Sequence, residues 1–293
     1  MNVLTLGFFD GVHIGHAALL NRAADLSARL GLTSCALTFD IQPGRLTKND
    51  RSPLINTLAD REFLLKKYVK RIITLRFDEK MMNMNPLDFI SDIIAPNAAH
   101  VVVGFDCRFG RGGLGTPELL AKECKRLNIG CDIIPPVTLD GAKVSSTLIR
   151  ELIANGKTEE AVRHLGHPHI LSGLVSHGKG LGSAIGAPTV NIELPDDIVK
   201  PLFGVYLTQI FAKGKMWQSV TNVGVRPTVS QNGRPNAETT IFGFSGDLYD
   251  TEIRLEFLQF LRSEKQFNSI DELAGQIAAD IDEAKRLHFS NNR

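Results

Sequence analysis

The sequence is short of the features that mark several large protein classes. Its four cysteines, Cys35, Cys107, Cys124 and Cys131, include no Cys-x-x-Cys pair. That excludes a disulfide scaffold or a zinc ribbon, and the thiols are expected to stand alone in a reducing cytoplasm. Charge of either sign is not in excess, with 33 Lys and Arg against 32 Asp and Glu for a net +1. Nothing in that balance argues for a nucleic-acid partner or an acidic membrane surface. No apolar run approaches bilayer-spanning length. Charged and polar residues follow Met1 too closely for a secretory h-region. Internal repeats and low-complexity segments are also lacking. What is present is 293 residues with a 43% hydrophobic fraction, which suits ordinary globular cores and, by length, two domains.

The first half alternates short apolar strands with helical stretches. Strands are expected at 3–6, 35–39, 72–75, 99–103 and 131–134, with helices at 17–30, 58–67, 86–94 and 117–127. Leu19, Ala23, Leu26 and Leu30 recur at helical spacing, and Gly31 is placed to stop that helix. Such alternation predicts a doubly wound parallel sheet, with ligands outside the C-terminal strand ends. After a helical connector at 146–154 and 158–165 the periodicity shortens. About six strands with polar turns, from His169 to Phe260, predict a small antiparallel β-barrel. A final helix opens with a Ser269–Glu272 capping box. Its stripe of Ile270, Leu273, Ile277, Ile281 and Ala284 is expected to pack on the barrel. The fold class is therefore α/β followed by β, with domains at 1–156 and 157–293.

The most informative stretch is GFFDGVHIGH, Gly7 to His16. It lies between the first strand and the first helix, where a glycine-punctuated turn and free helix amides make an anion site. His13 and His16 add imidazole donors suited to a nucleotide phosphate chain. A metal-ligand reading of Asp10, His13 and His16 lacks a closing cysteine or carboxylate cluster. The tetrapeptide His13-Ile14-Gly15-His16 also spells the HIGH signature of class I aminoacyl-tRNA synthetases, but no KMSKS-like loop accompanies it. Ser145, Ser146 and Thr147 offer hydroxyls before a helix, either as an N-cap or toward phosphate, and Arg150 adds a guanidinium. Gly173–Gly180 approaches a Walker A motif, but Gly180 stands where its metal-binding hydroxyl belongs.

Taken in order, the motifs resemble the bacterial bifunctional riboflavin kinase/FMN adenylyltransferase family, also called FAD synthetase. In the first half they are GFFDGVHIGH, Thr38-Phe39-Asp40, VVVGFDCRFG and VSSTLIR. In the second they are APTVN, GVY, NVGVRPTV, Glu238, DLY and LRSEKQF. The resemblance implies two ATP-dependent reactions: riboflavin to FMN, and FMN to FAD with release of pyrophosphate. For adenylyl transfer it implies His13 and His16 as catalytic donors. Gly7, Phe8, Phe9, Asp10, Gly11, Gly15, Ser145, Ser146, Thr147 and Arg150 would bind ATP. Asp106, Arg108 and Phe109 would contact flavin or ATP, Phe109 being equally readable as core. For the kinase it implies Glu238 as the base, in a strand facing the barrel mouth. Thr189 and Asn191 would serve Mg²⁺, with Gly178, Lys179, Gly180, Gly182 and Asn222 at ATP. FMN and FAD are the implied product ligands.

Lys143 and Ser183 replace arginines common in the family, and Ala187, Thr240, Asp250 and Cys107 are further departures. Retention of one activity only, or a flavin-binding regulator, are the alternatives.

Overall fold

A computed structural model describes residues 1–48, 50–176, 189–225 and 234–291. The chain forms two compact units. One comprises Met1–Ser52 with Leu58–Ser146, the other Pro53–Thr57 with Thr147–Arg293.

The first unit is built on five parallel strands, β1 (Asn2–Leu6), β2 (Thr33–Phe39), β3 (Arg71–Leu75), β4 (Ala98–Gly104) and β5 (Gly130–Ile134), in the order β3-β2-β1-β4-β5. The order reverses at β1, which lies between β2 and β4. Alternation decides what each face buries. Val3 and Val102 pack with Leu19, Ala23 and Leu26 of the helix Ile14–Leu30. Leu4, Leu6, Val101 and Val103 face Phe89, Ile90, Leu120 and Cys124 on the other side. Gly31 ends the first helix at φ 65°, its N–H donating to the Ser27 carbonyl, as its position in sequence predicts.

The helix expected at 86–94 is regular only over Pro86–Asp88 and continues as a π-helix, Phe89–Ile94, whose buried residues include Phe89, Ile90 and Ile94. A hairpin that the periodicity does not reveal, β6 (Thr138–Leu139) and β7 (Ala142–Lys143), turns at Asp140-Gly141. Both turn residues have positive φ, 51° and 80°, the requirement that makes Asp-Gly a hairpin signal.

The second unit is a six-stranded antiparallel sheet of β8 (His169–Leu174), β9 (Thr189–Glu193), β10 (Gly204–Ala212), β11 (Lys215–Val225), β12 (Pro235–Ile241) and β13 (Glu252–Ser263). Their order is β8-β13-β10-β11-β12-β9. An isolated bridge between Ser176 and Asn191 draws the two edge strands together. A Cβ on Gly173 of β8 would lie 3.3 Å from the Cβ of Ile192 of β9.

Four hydroxyls, Thr208, Ser219, Thr221 and Thr239, are buried and bonded to one another across β10, β11 and β12 at 2.8–2.9 Å. The opposite face carries Val205, Leu207 and Val220 against Ala284, Ile281 and Leu287 of the terminal helix Ile270–Asn291. Arg262 clamps that helix with two bonds to the Asp280 carboxylate, 2.8 and 2.5 Å. Ser269 accepts from the Glu272 N–H, and Glu272 reaches back to the Asn268 N–H.

Pro53–Thr57 is a strap that joins this second unit from the sequence of the first half. Leu54 N–H donates to the Asp197 carbonyl and the Leu54 carbonyl accepts from Val199 N–H, each at 2.7 Å. The Ile55 carbonyl accepts from His169 Nε2 at 3.2 Å, and Leu54, Ile55 and Asn56 are all buried.

Candidate active sites

In the first unit a cavity of about 350 Å³ opens at the C-terminal ends of β1 and β4, the switch point of such a sheet. Gly7, Phe8, Phe9, His13, Gly15, His16, Asp106, Arg108, Ser145 and Ser146 line it, as do Phe105, Cys107 and Lys143. The turn that carries the histidines is strained. Phe9 and Val12 have φ 59° and 40°, in the left-handed region that non-glycine residues rarely occupy. Gly11 shares it at φ 81°, and there a glycine costs little.

His13 is the N-cap of the helix Ile14–Leu30. Its Nδ1 accepts from the His16 N–H at 3.2 Å. That bond assigns the proton to Nε2. The two imidazoles stack with centroids 3.6 Å apart and planes 13° from parallel. The Phe9 ring meets His16 edge-on at 5.3 Å. Gly15 has a local reason beyond phosphate approach: a Cβ there would sit 3.0 Å from the His13 ring.

Burial holds the pKa of His16 well below its ordinary 6.5, and the neighbouring His13 and Arg61 lower it further. His16 is therefore neutral near pH 7, able to donate one N–H without carrying charge. Its Nδ1 is buried without a hydrogen-bond partner. Ser146 donates to the Asp10 carbonyl at 2.9 Å, which ties the hydroxyl run to the histidine turn.

Asp10 itself is buried and, like Gly11, does not line the cavity. Phe109 belongs to the core, 5.4 Å from Phe89. Thr147 and Arg150 fall in the second unit. Across the cavity wall Lys143 donates to Asp106 at 3.0 Å and lies 4.4 Å over the Phe105 ring. The Cys107 thiol is pushed up to about 12, first by burial and then by Asp106, so it is not a nucleophile at neutral pH. Among the described residues no group of three His, Cys, Asp or Glu could hold a metal ion.

In the second unit the register sets Asn191, Glu238 and Asn222 in one row across β9, β12 and β11. Paired residues share a sheet face. Thr189 donates to Glu238 Oε1 at 2.7 Å, and Asn236 donates to Asn191 Oδ1 at 2.8 Å. By alternation the row lies on the sheet face of Val220, opposite the buried hydroxyls. Glu264, within LRSEKQF, was not singled out by sequence; a Cβ on Gly224 would collide with its carboxylate. Gly178, Lys179, Gly180, Gly182, Ser183 and Ala187 lie outside the described residues.

A parallel-sheet unit with a phosphate-receptive turn and an antiparallel unit with an oxygen-rich row define a two-site transferase class. The family described as FAD synthetase matches residues 1–148, and the family described as riboflavin kinase matches residues 165–288. The chain is 34% identical to the bifunctional riboflavin kinase/FMN adenylyltransferase of Bacillus subtilis (strain 168), over 100% of this chain and 94% of that protein. It is 35% identical to the Pseudomonas fluorescens protein of the same name, over 97% and 92%. A crystal structure named Macrolide-efflux Protein, from Streptococcus pneumoniae, superposes with a TM-score of 0.84 at 30% identity, covering 97% of this chain and 94% of that one. No helix among the described residues is long and apolar enough to cross a membrane. The chain belongs to the bifunctional riboflavin kinase/FMN adenylyltransferase family.

Proposed function

We propose that this chain converts riboflavin to FMN in its second unit and FMN to FAD in its first, each step consuming ATP. The observation that carries the reading is the pairing of each site with its own family match, and the relatives named for both activities span nearly the whole chain.

For adenylyl transfer, an FMN phosphate oxygen attacks the α-phosphorus of ATP and the bond to pyrophosphate breaks. The nucleophile is already an anion, so the site's task is alignment and charge stabilisation. His13 Nε2–H, the His16 imidazole and the first amides of the helix Ile14–Leu30 donate to phosphate oxygens. Ser145 adds a hydroxyl, and Ser146, whose proton goes to the Asp10 carbonyl, holds that run against the histidine turn. Arg108 and Asp106 bind flavin or nucleotide.

For the kinase, the riboflavin 5′-hydroxyl gives its proton to Glu238 as its oxygen attacks the γ-phosphorus, and ADP leaves. Thr189 holds Glu238 Oε1, which orients the carboxylate and leaves Oε2 to receive the proton. The Thr189 hydroxyl and the Asn191 amide oxygen are hard oxygen donors that suit Mg²⁺. The Thr189 proton is committed to Glu238, which would leave its lone pairs for such an ion. Bound there, Mg²⁺ would neutralise phosphate charge. Asn222, in the same row, serves the nucleotide together with Lys179.

We divide the functions between 1–156 and 157–293, ten residues beyond the 146/147 boundary of the compact units, and the free thiols fit a cytoplasmic setting. Incubating the chain with riboflavin, ATP and Mg²⁺ and separating the flavins tests the reading. FMN should rise and then give way to FAD. FMN alone, or FAD only when FMN is supplied, leaves a single activity. Bound flavin without turnover leaves a regulator.

A further inference from the structure

Among the described residues Arg61 is the largest fully buried side chain, 1% exposed, on the helix Leu58–Leu65. Its Nη2 donates to the Phe39 carbonyl at the end of β2, at 2.5 Å. Its guanidinium lies 4.0 Å from the centre of the Phe8 ring, in the turn that follows β1. One side chain thus ties the C-terminal end of β2 to the glycine turn that delivers His13 and His16. It does not line the cavity.

Stability does not explain this residue. Its Nε is buried with no hydrogen-bond partner, which costs free energy that an apolar side chain would not. We propose that Arg61 is a positioning residue for adenylyl transfer, holding the Phe8–Phe9 turn and with it the histidine pair in the phosphate-receiving geometry.

The charges around it fit that role. Burial draws the Arg61 pKa down to about 10, opposed by Asp10, then Glu62 and Asp40, so it stays cationic at neutral pH. The groups that face His16 are His13 on its own turn and Arg61 on the neighbouring helix, and both disfavour its protonation. Arg61 therefore fixes the backbone of the turn and helps keep His16 a neutral donor. The fork and flat face of arginine permit the two contacts at once, and a lysine offers only the charge.

The inference rests on the adenylyltransferase reading, so FAD formation by the parent chain is established first; a parent that makes no FAD refutes that reading and not the role of Arg61. Arg61→Met and Arg61→Lys are then compared in the full chain, with riboflavin phosphorylation as the internal control. Arg61→Met should lower kcat for FMN adenylation by about tenfold to a hundredfold, the scale of a small misplacement of reacting groups. KM for ATP and the kinase rate should stay near the parent. NMR of the histidine ring nitrogens should show the His16 titration moving upward in Arg61→Met and staying at the parental position in Arg61→Lys. Parental kcat in Arg61→Met, or lost kcat with an unmoved His16 titration, overturns the proposal. Should Arg61→Met fail to fold, Arg61→Lys decides: a lowered kcat at parental KM supports the role, and a parental kcat removes it.

Discussion

His16 is a residue whose chemistry and stability are linked through one buried proton site. Its folded pKa lies well below the ordinary 6.5, first through burial and then through His13 and Arg61. Below pH 6.5 the unfolded chain takes up a proton that the folded residue refuses. Stability from this source is complete above 6.5 and is lost as pH falls from there toward the folded value. Urea midpoints measured from pH 7.5 to 5.5 should fall, and His16→Gln should flatten the fall; the same slope in both chains would place its origin elsewhere.

Substitution also separates the two reactions. His16→Ala should cost adenylyl transfer about a hundredfold or more, the scale of one preorganised donor, and spare riboflavin phosphorylation. Glu238→Gln keeps the side-chain shape and removes the base, so FMN formation should fall while FMN-to-FAD conversion stays near the parent. Equal loss of both rates in either folded variant contradicts the assignment. Residues of this kind were legible because their types are tied to chemistry in a fixed order. Arg61 and Glu264 were not, since a single charge in an unmarked segment reads as solvated surface. Phe109 was ambiguous because an aromatic in a glycine loop has the same letter whether it stacks on a ligand or, as here, on Phe89.

Elements were legible wherever burial imposed a period. All five parallel strands of the first unit fall within a residue or two of the positions their apolar runs predict. The Asp140-Gly141 hairpin was carried by a turn signal and was missed because its strands are two residues each, too short for alternation. The π-helix was hidden for another reason: apolar spacing does not distinguish i→i+5 bonding from the ordinary helix. The loop after β4 makes its own demand. Gly110 has φ 68°, and a Cβ there would meet the Pro86 ring and backbone at 2.8–2.9 Å, whereas Gly112, at φ 64°, has nothing within 4 Å. Gly112→Ala should cost only about 1–2 kcal/mol, the left-handed penalty. Gly110→Ala adds a backbone clash and should cost clearly more by urea denaturation. Similar losses for the two would show that the loop yields freely around Pro86.

At the scale of the molecule, the two halves could be told apart because their hydrophobic periods differ. The exchange of Pro53–Thr57 could not, since an apolar pair between a proline and a threonine has no period and no motif. Ile55 has no exposed surface, yet the unit it stabilises is the second. Ile55→Ala should therefore lower kinase stability by about 2–5 kcal/mol, the usual cost of such a truncation. Riboflavin phosphorylation should be lost on heating before FMN adenylation is. If adenylation fails first, the strap serves the first unit instead.

The same five residues restrict how such a gene can be recombined. A crossover near residue 147 or 157 would seem to exchange one whole catalytic module for that of a relative. It would leave the incoming unit bonded, at His169, Asp197 and Val199, to a strap inherited from the other parent. A working chimera has to carry four segments from two sources in alternation, so a single splice cannot exchange one unit whole.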